Sequence, residues 1–118
     1  MSNEGETCLF CRIQRGDIPS TSVYSSETVY AFRDVNPQAP VHILIIPREH
    51  ISGIDESAAE NGDTLGALVR TANAIAREAG IAQTGYRLVV NSGRDAGQSV
   101  PHLHVHLLGG RALAWPPG

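Results

Sequence analysis

The stretch His102-Leu103-His104-Val105-His106-Leu107-Leu108, closed by Gly109-Gly110, alternates histidine with aliphatic residues. A β-strand has a side-chain period of two, so this pattern predicts a strand over residues 102–108. The three imidazoles would form a row on one face, and the aliphatic side chains would enter the core on the other. Three histidines in strict alternation favour a functional row over a surface strand that carries histidine by chance.

A single metal ion is a poor explanation for the whole row. At about 3.3 Å per residue, the Cα atoms of His102 and His106 lie about 13 Å apart, whereas zinc ligands converge to about 2 Å from the ion. A substrate that lies along the row fits better, because one imidazole can attack it while a neighbour binds oxygen atoms of the same group.

Outward from this stretch, the sequence predicts further strands and two helices. Strands are predicted at Val29–Arg33, at 42–46, at 86–90 and, as a short one, at 23–24. Apolar residues with helical spacing predict a long helix that Gly80 ends, beginning either at the capping box Ser57–Glu60 or near Gly62. A shorter helix is predicted over 9–15. These elements favour an α+β domain with a mostly antiparallel sheet.

Size and composition fit one domain. The chain has 118 residues, 42% of them apolar, so we expect a single domain over 1–118 with a flexible start at 1–7 and a C-terminal tail at 109–118. A net charge of -3 argues against nucleic-acid binding. The polar start and the lack of a long apolar run argue against a secretory signal and a membrane span, and therefore favour the cytoplasm.

Two short segments add candidate chemistry. Cys8 and Cys11 have the spacing of a zinc knuckle, and histidines would have to supply the remaining ligands. Two small buried side chains on a helix are the alternative, and a redox pair is less favoured because no thioredoxin-like context follows. The loop 91–100, which includes Gly97, Gln98 and Ser99, is of a kind that can wrap a phosphate group beside the histidine row.

The histidine stretch resembles the signature of the histidine-triad (HIT) superfamily. Further segments are similar to its Hint branch, the histidine-triad nucleotide-binding proteins, and the match runs from about Cys8 to the end. These segments are 34–42, 46–50, Gly97-Gln98-Ser99, Gly109-Gly110-Arg111 and the terminal Trp115-Pro116-Pro117-Gly118. The resemblance implies a HIT-like fold with a five-stranded sheet, one long helix and one short helix.

The resemblance also implies a purine nucleoside phosphoramidase. Such an enzyme hydrolyses the P–N bond of nucleoside phosphoramidates or adenylylated amines and releases the nucleoside monophosphate. By position, His104 would be the nucleophile and form a nucleotidyl-histidine, with His106, His42 and Ser99 as the other catalytic residues. The nucleotide-binding residues implied are Asp34 on the ribose, Asn91, Gly97, Gln98 and Ser99 near the phosphate, and Phe10, Ile13, Ile18, Phe32 and Val35 around the base.

The early cysteine pair resembles the one in some triad proteins that have a zinc site of two cysteines and two histidines. Here this implies Cys8, Cys11, His50 and His102 as Zn²⁺ ligands. The resemblance further implies a homodimer in which the tail around Trp115 approaches the partner's site. Two alternative functions remain open: a nucleotide-binding or scaffold protein with little turnover, and a dinucleoside polyphosphate hydrolase.

Overall fold

A computed structural model describes residues 7–118, so most of the predicted flexible start, 1–7, lies outside the described residues. Within that range the chain forms two α-helices, five strands and one 3-10 turn. In chain order they are α1 (Leu9–Gln14), β1 (Ser22–Ser25), β2 (Val29–Arg33), β3 (Val41–Pro47), the 3-10 turn (Ser57–Glu60), α2 (Gly62–Glu78), β4 (Tyr86–Val89) and β5 (Val105–Gly109). Among residues 7–118, no helix is both long and apolar enough to cross a bilayer.

The five strands form one sheet in the order β1-β2-β3-β5-β4, and every neighbouring pair is antiparallel. The predicted α+β class and antiparallel sheet are therefore confirmed. Strand β5 lies between β3 and β4, with His106 opposite Leu44 on one side and Val89 on the other. The last histidine of the row thus lies in the interior of the sheet.

The two faces of the sheet pack against different partners. One face packs against α2, where Leu68 and Ala72 contact a core that includes Leu103, Val105 and Leu107. The other face carries the histidines and is covered in part by α1. Its apolar cluster comprises Cys8, Phe10, Cys11, Ile13, Tyr30, Phe32, Leu44 and Ile46. The predicted separation of aliphatic residues from imidazoles is confirmed.

The histidine strand begins later than the sequence predicts. Strand β5 starts at Val105, so the predicted strand over 102–108 is wrong for its first three residues. There the backbone leaves the ladder, because Pro101 has no N–H and the Leu103 N–H donates to the Ile51 carbonyl at 2.6 Å. Leu103 is nevertheless 1% exposed, on the same side as the aliphatic residues of β5.

The long helix begins at the later of its two candidate starts. The side chain of Asn61 accepts from the Asp63 N–H at 2.9 Å and caps α2. The capping-box candidate Ser57–Glu60 forms a separate 3-10 turn whose first residue has no side-chain cap. At the other end Gly80 has φ +77°, so the predicted stop at this glycine is confirmed.

Candidate active site and metal centre

The ring of His104 is fixed by a backbone carbonyl. Its Nδ1–H donates to the His102 carbonyl oxygen at 2.7 Å, since that oxygen can only accept. The side chain is 4% exposed, and the Phe10 ring packs edge-on against it with centroids 5.0 Å apart. A neutral ring held in this way has its proton on Nδ1 and a free electron pair on Nε2. Burial lowers the pKa of His104 below 6.5 and thereby favours the neutral form.

The rings of His42 and His106 form a hydrogen-bonded pair, and a backbone N–H orients the first of them. The amide of Gln38 donates to His42 Nδ1 at 3.0 Å, so a neutral His42 carries its proton on Nε2. That Nε2 lies 2.9 Å from His106 Nδ1 and donates to it. His106 in turn keeps its own proton on Nε2. Gln38, His42 and His106 therefore form a directed chain of hydrogen bonds.

Burial keeps both rings of this pair neutral. Desolvation is the largest cause that lowers the pKa of His106 to about 4, followed by His104 and His42, while Asp34 raises it. Desolvation also lowers the pKa of His42, again opposed by Asp34. At neutral pH the two rings of the relay, His42 and His106, are therefore uncharged, and each has one donor and one acceptor nitrogen.

Asp34 lies beside the hydrogen-bonded pair of His42 and His106. One carboxylate oxygen, Oδ2, is 3.4 Å from His42 Nε2, and the other accepts from the Asn36 N–H at 2.9 Å. Ligand atoms of Asp34, His42 and His106 all lie within 4.8 Å of one another, as a metal site requires. However, Nδ1 of His42 accepts a hydrogen bond, so Nε2 would have to lose its only proton before it could bind a metal. The geometry therefore favours a hydrogen-bonded relay over a metal site here.

The cysteine pair meets two histidines, as the resemblance implied. The donor atoms of Cys8, Cys11, His50 and His102 lie within 4.8 Å of one another. Nδ1 of His102 is 3.3 Å from Cys8 Sγ and 3.5 Å from Cys11 Sγ. Nδ1 of His50 is 3.3 Å from Cys11 Sγ and 3.2 Å from His102 Nδ1. Two sulfur and two nitrogen donors thus converge on one point.

This cluster fits a tetrahedral zinc ion. Ligands about 2.0–2.3 Å from a tetrahedral centre are about 3.3–3.8 Å apart, close to the spacings found here. Nε2 of His102 donates to the Pro47 carbonyl at 2.9 Å, which leaves Nδ1 unprotonated and directed at the thiols. Burial, with Cys8 as a further cause, raises the pKa of Cys11 to about 11, so a bound cation would have to displace its proton.

The residues implied for the base are brought together in part. Phe10 and Phe32 are each 4% exposed and pack edge to face at 5.5 Å, with Ile13 in the same cluster and Ile18 packed against it. Of these side chains, Phe10 contacts the ring of His104. Val35 is different, because it is 96% exposed and stands outside the cluster.

The residues implied for the phosphate lie on one connected loop. Gln98 uses its amide within the protein: Nε2 donates to the Ser52 carbonyl at 2.9 Å, and Oε1 accepts from the Gly93 N–H at 3.0 Å. This holds the loop in shape, and Gly97, with φ +80°, provides its turn. Ser99 is exposed and lines a cleft of about 310 Å³ that also borders Cys8 and His50. Asn91 follows β4 two residues after Val89, the partner of His106.

Sequence reasoning missed the backbone groups that orient the histidines. The carbonyl oxygens of His102 and Pro47 and the N–H of Gln38 set which ring nitrogen is free. Residue identity carries no signal for them, because every non-proline residue has the same two groups. Arg111 was noted only as part of a motif, yet its guanidinium donates to the Gln38 carbonyl at 2.8 Å.

The sequence profile of the HIT domain matches residues 15–113 of this chain. The chain belongs to the HIT family. The HIT-like fold expected from the resemblance is confirmed by a solved structure, the HIT family hydrolase from Legionella pneumophila. It superimposes with a TM-score of 0.92 at 46% identity, over 95% of this chain and 100% of that one.

Two relatives of this HIT protein have names that describe a property. The purine nucleoside phosphoramidase of Escherichia coli strain K12 is 49% identical over 108 residues, which is 92% of this chain and 91% of the relative. The 14 kDa zinc-binding protein of Zea mays is 46% identical over 129 residues and covers 100% of both chains. These names describe those two proteins.

We predict that His106 titrates far below an ordinary histidine. The pKa of His106 is about 4 in the folded protein and about 6.5 in an unfolded chain. As the pH falls, the unfolded chain therefore binds a proton at His106 before the folded protein does. The stability that neutral His106 contributes is therefore complete above about pH 6.5 and decreases as the pH falls toward 4. NMR titration of the ring measures this pKa. Asp34→Asn should lower it further, because Asp34 raises it. A wild-type midpoint near 6.5 would contradict the prediction.

Proposed function

We propose that the protein is a nucleotide hydrolase that cleaves the P–N bond of purine nucleoside phosphoramidates or adenylylated amines. The observation that carries this proposal is the ring of His104, neutral and oriented by the His102 carbonyl so that Nε2 has a free electron pair. Such a ring is a nucleophile without prior removal of a proton. The name of the Escherichia coli relative supports the substrate class.

The proposed reaction has two steps. In the first, His104 Nε2 forms a bond to the α-phosphorus as the P–N bond to the amine breaks, and the leaving nitrogen takes a proton. The leaving nitrogen takes this proton from solvent, while His106 Nε2–H, which the relay from His42 orients, donates a hydrogen bond to the reacting phosphate group. In the second step water attacks the nucleotidyl-histidine, the N–P bond breaks and restores the electron pair on His104 Nε2, the proton of the water returns to solvent, and nucleoside monophosphate leaves.

The remaining site residues have supporting roles in this proposal. Ser99 helps donate to the departing nitrogen, and Asn91, Gly97 and Gln98 position the phosphate by their place on the loop. Asp34 accepts hydrogen bonds from the ribose hydroxyls, a role suited to a carboxylate. The base would lie at the edge of the cluster formed by Phe10, Ile13, Ile18 and Phe32, of which Ile18 is half-buried, with the exposed Val35 outside that cluster.

We also propose that Cys8, Cys11, His50 and His102 hold one structural Zn²⁺ per chain. Two thiolates and two imidazoles suit zinc, and the name of the Zea mays relative supports this metal. When bound, the ion would supply a cross-link between α1 and the segment that precedes β5. Its four protein ligands would leave no open position for substrate.

We propose further that the protein acts in the cytoplasm as a homodimer. Trp115 is 80% exposed, and its ring is bordered on its own chain by the Arg87 guanidinium at 5.9 Å. A large aromatic ring is costly to leave in water, and a second copy of the chain would cover it. A solution mass equal to one chain, measured by sedimentation or light scattering, would remove this part of the proposal.

His104→Ala should lower the rate of P–N hydrolysis by at least about 10³-fold, because it removes the nucleophile. Binding of adenosine monophosphate should persist within about tenfold. Quenching the wild type with adenosine phosphoramidate in alkaline denaturant, which preserves an N–P bond to histidine, followed by mass spectrometry, should show a nucleotidyl group on His104.

The alternatives have distinct outcomes in the same assays. A wild type that binds purine monophosphate but turns over no substrate would contradict the hydrolase proposal and support a binding protein. A much faster turnover of diadenosine polyphosphates than of phosphoramidates would instead place the activity with dinucleoside polyphosphate hydrolases.

Purified without chelator, the protein should contain about one zinc per chain by elemental analysis. Cys11→Ser should lose the metal and unfold at a lower temperature, because it removes one of four ligands. Ser99→Ala borders the same cleft without being a ligand, and should keep the metal. A wild type without metal whose two cysteines react fully with thiol reagents would contradict the site.

A further inference from the structure

The side chain of Arg111 donates hydrogen bonds to two main-chain carbonyl groups. Its Nε and Nη2 donate to the Gln38 carbonyl oxygen at 3.3 and 2.8 Å, and Nη1 donates to the carbonyl of Ala112 at 2.9 Å. Two parallel N–H groups on one acceptor hold that acceptor in position as well as in distance, which a lysine ammonium does less well. Arg111 thus clamps residue 38 to the end of β5.

The preceding glycine allows this contact. Gly110 has φ +91°, and a Cβ atom built on it would lie 2.9 Å from Pro40 Cβ. A side chain at this position would therefore be strained and would collide with the loop that carries Gln38. The Gly-Gly-Arg segment lets the chain turn against Pro40 and brings the guanidinium over residue 38.

Residue 38 is also the one that orients the first ring of the relay. Its N–H donates to His42 Nδ1 at 3.0 Å, and His42 Nε2 donates to His106 Nδ1 at 2.9 Å. Arg111 is therefore linked to His106 through the carbonyl and the N–H of Gln38 and through the ring of His42. If residue 38 moved, His42 could carry its proton on Nδ1, and Nε2 would then accept instead of donate.

We propose that Arg111 is a positioning residue that selects the proton-bearing nitrogen of His42, and through it that of His106, by holding Gln38. The consequence for catalysis rests on the proposed P–N hydrolysis, whereas the tautomer of His42 does not. A purely structural role for Arg111 in anchoring the tail would leave the tautomer unchanged. The two roles can therefore be separated by observing the ring directly.

The experiment compares Arg111→Ala and Arg111→Lys with the wild type. Long-range ¹⁵N–¹H NMR spectra of the full-length protein report which nitrogen of His42 bears the proton. In the wild type this should be Nε2, and in Arg111→Ala a mixture of both. With an adenosine phosphoramidate, kcat should fall about tenfold while the Kd for adenosine monophosphate changes less than about threefold. Arg111→Lys, which keeps the charge but not the paired donors, should be intermediate.

Arg77→Ala, which removes an exposed arginine of α2, is the matched control and should leave both the tautomer and kcat unchanged. Thermal unfolding of each variant checks that its fold is retained. A His42 tautomer in Arg111→Ala identical to that of the wild type would overturn the proposal, whatever happens to activity. A wild type without P–N hydrolysis would overturn the proposed function instead, and the tautomer shift would still decide the role of Arg111.

Discussion

The hydrogen bond from His104 Nδ1 to the His102 carbonyl oxygen is the contact on which the chemistry of this protein depends. It converts a ring with two equivalent choices of proton position into one with a free electron pair on Nε2. The same residue, His102, directs its own Nδ1 toward the cysteine pair because its Nε2 donates to the Pro47 carbonyl. One residue therefore joins the proposed nucleophile to the proposed metal site, through its carbonyl on one side and its ring on the other.

Burial gives these orientations their chemical meaning. The histidine face of the sheet is covered in part by α1, whose Phe10 packs against His104, and burial lowers the pKa values of His42, His104 and His106. A protonated ring would donate from both nitrogens and could neither attack phosphorus nor accept in the relay. The neutral state thus follows from burial, whereas the tautomers follow from the backbone groups that the rings contact.

The sequence predicted the fold and the residue clusters well, because both depend on the character of side chains. The aliphatic residues between the histidines pack under α2 as expected, and Cys8, Cys11, His50 and His102 converge as the family resemblance implied. The start of the histidine strand was wrong, because Pro101 and the Leu103 N–H bond to Ile51 interrupt the ladder. Side-chain periodicity does not report such local backbone pairing.

The orientation of each ring could not be predicted from the sequence. It depends on the Gln38 N–H, which any residue except proline would supply, and on the Pro47 and His102 carbonyls, which any residue would supply. The direction of these N–H and carbonyl groups is set by the folded backbone. Arg111 shows the same limit, since its role emerges from its distance to Gln38 and not from its charge.

The most direct test is to locate the proton on the His104 ring in the free protein near neutral pH, by long-range ¹⁵N–¹H NMR. A neutral ring with its proton on Nδ1 and a bare Nε2 is the predicted result. A ring protonated on Nε2, or on both nitrogens, would contradict the account, because the nitrogen assigned to attack phosphorus would have no electron pair available.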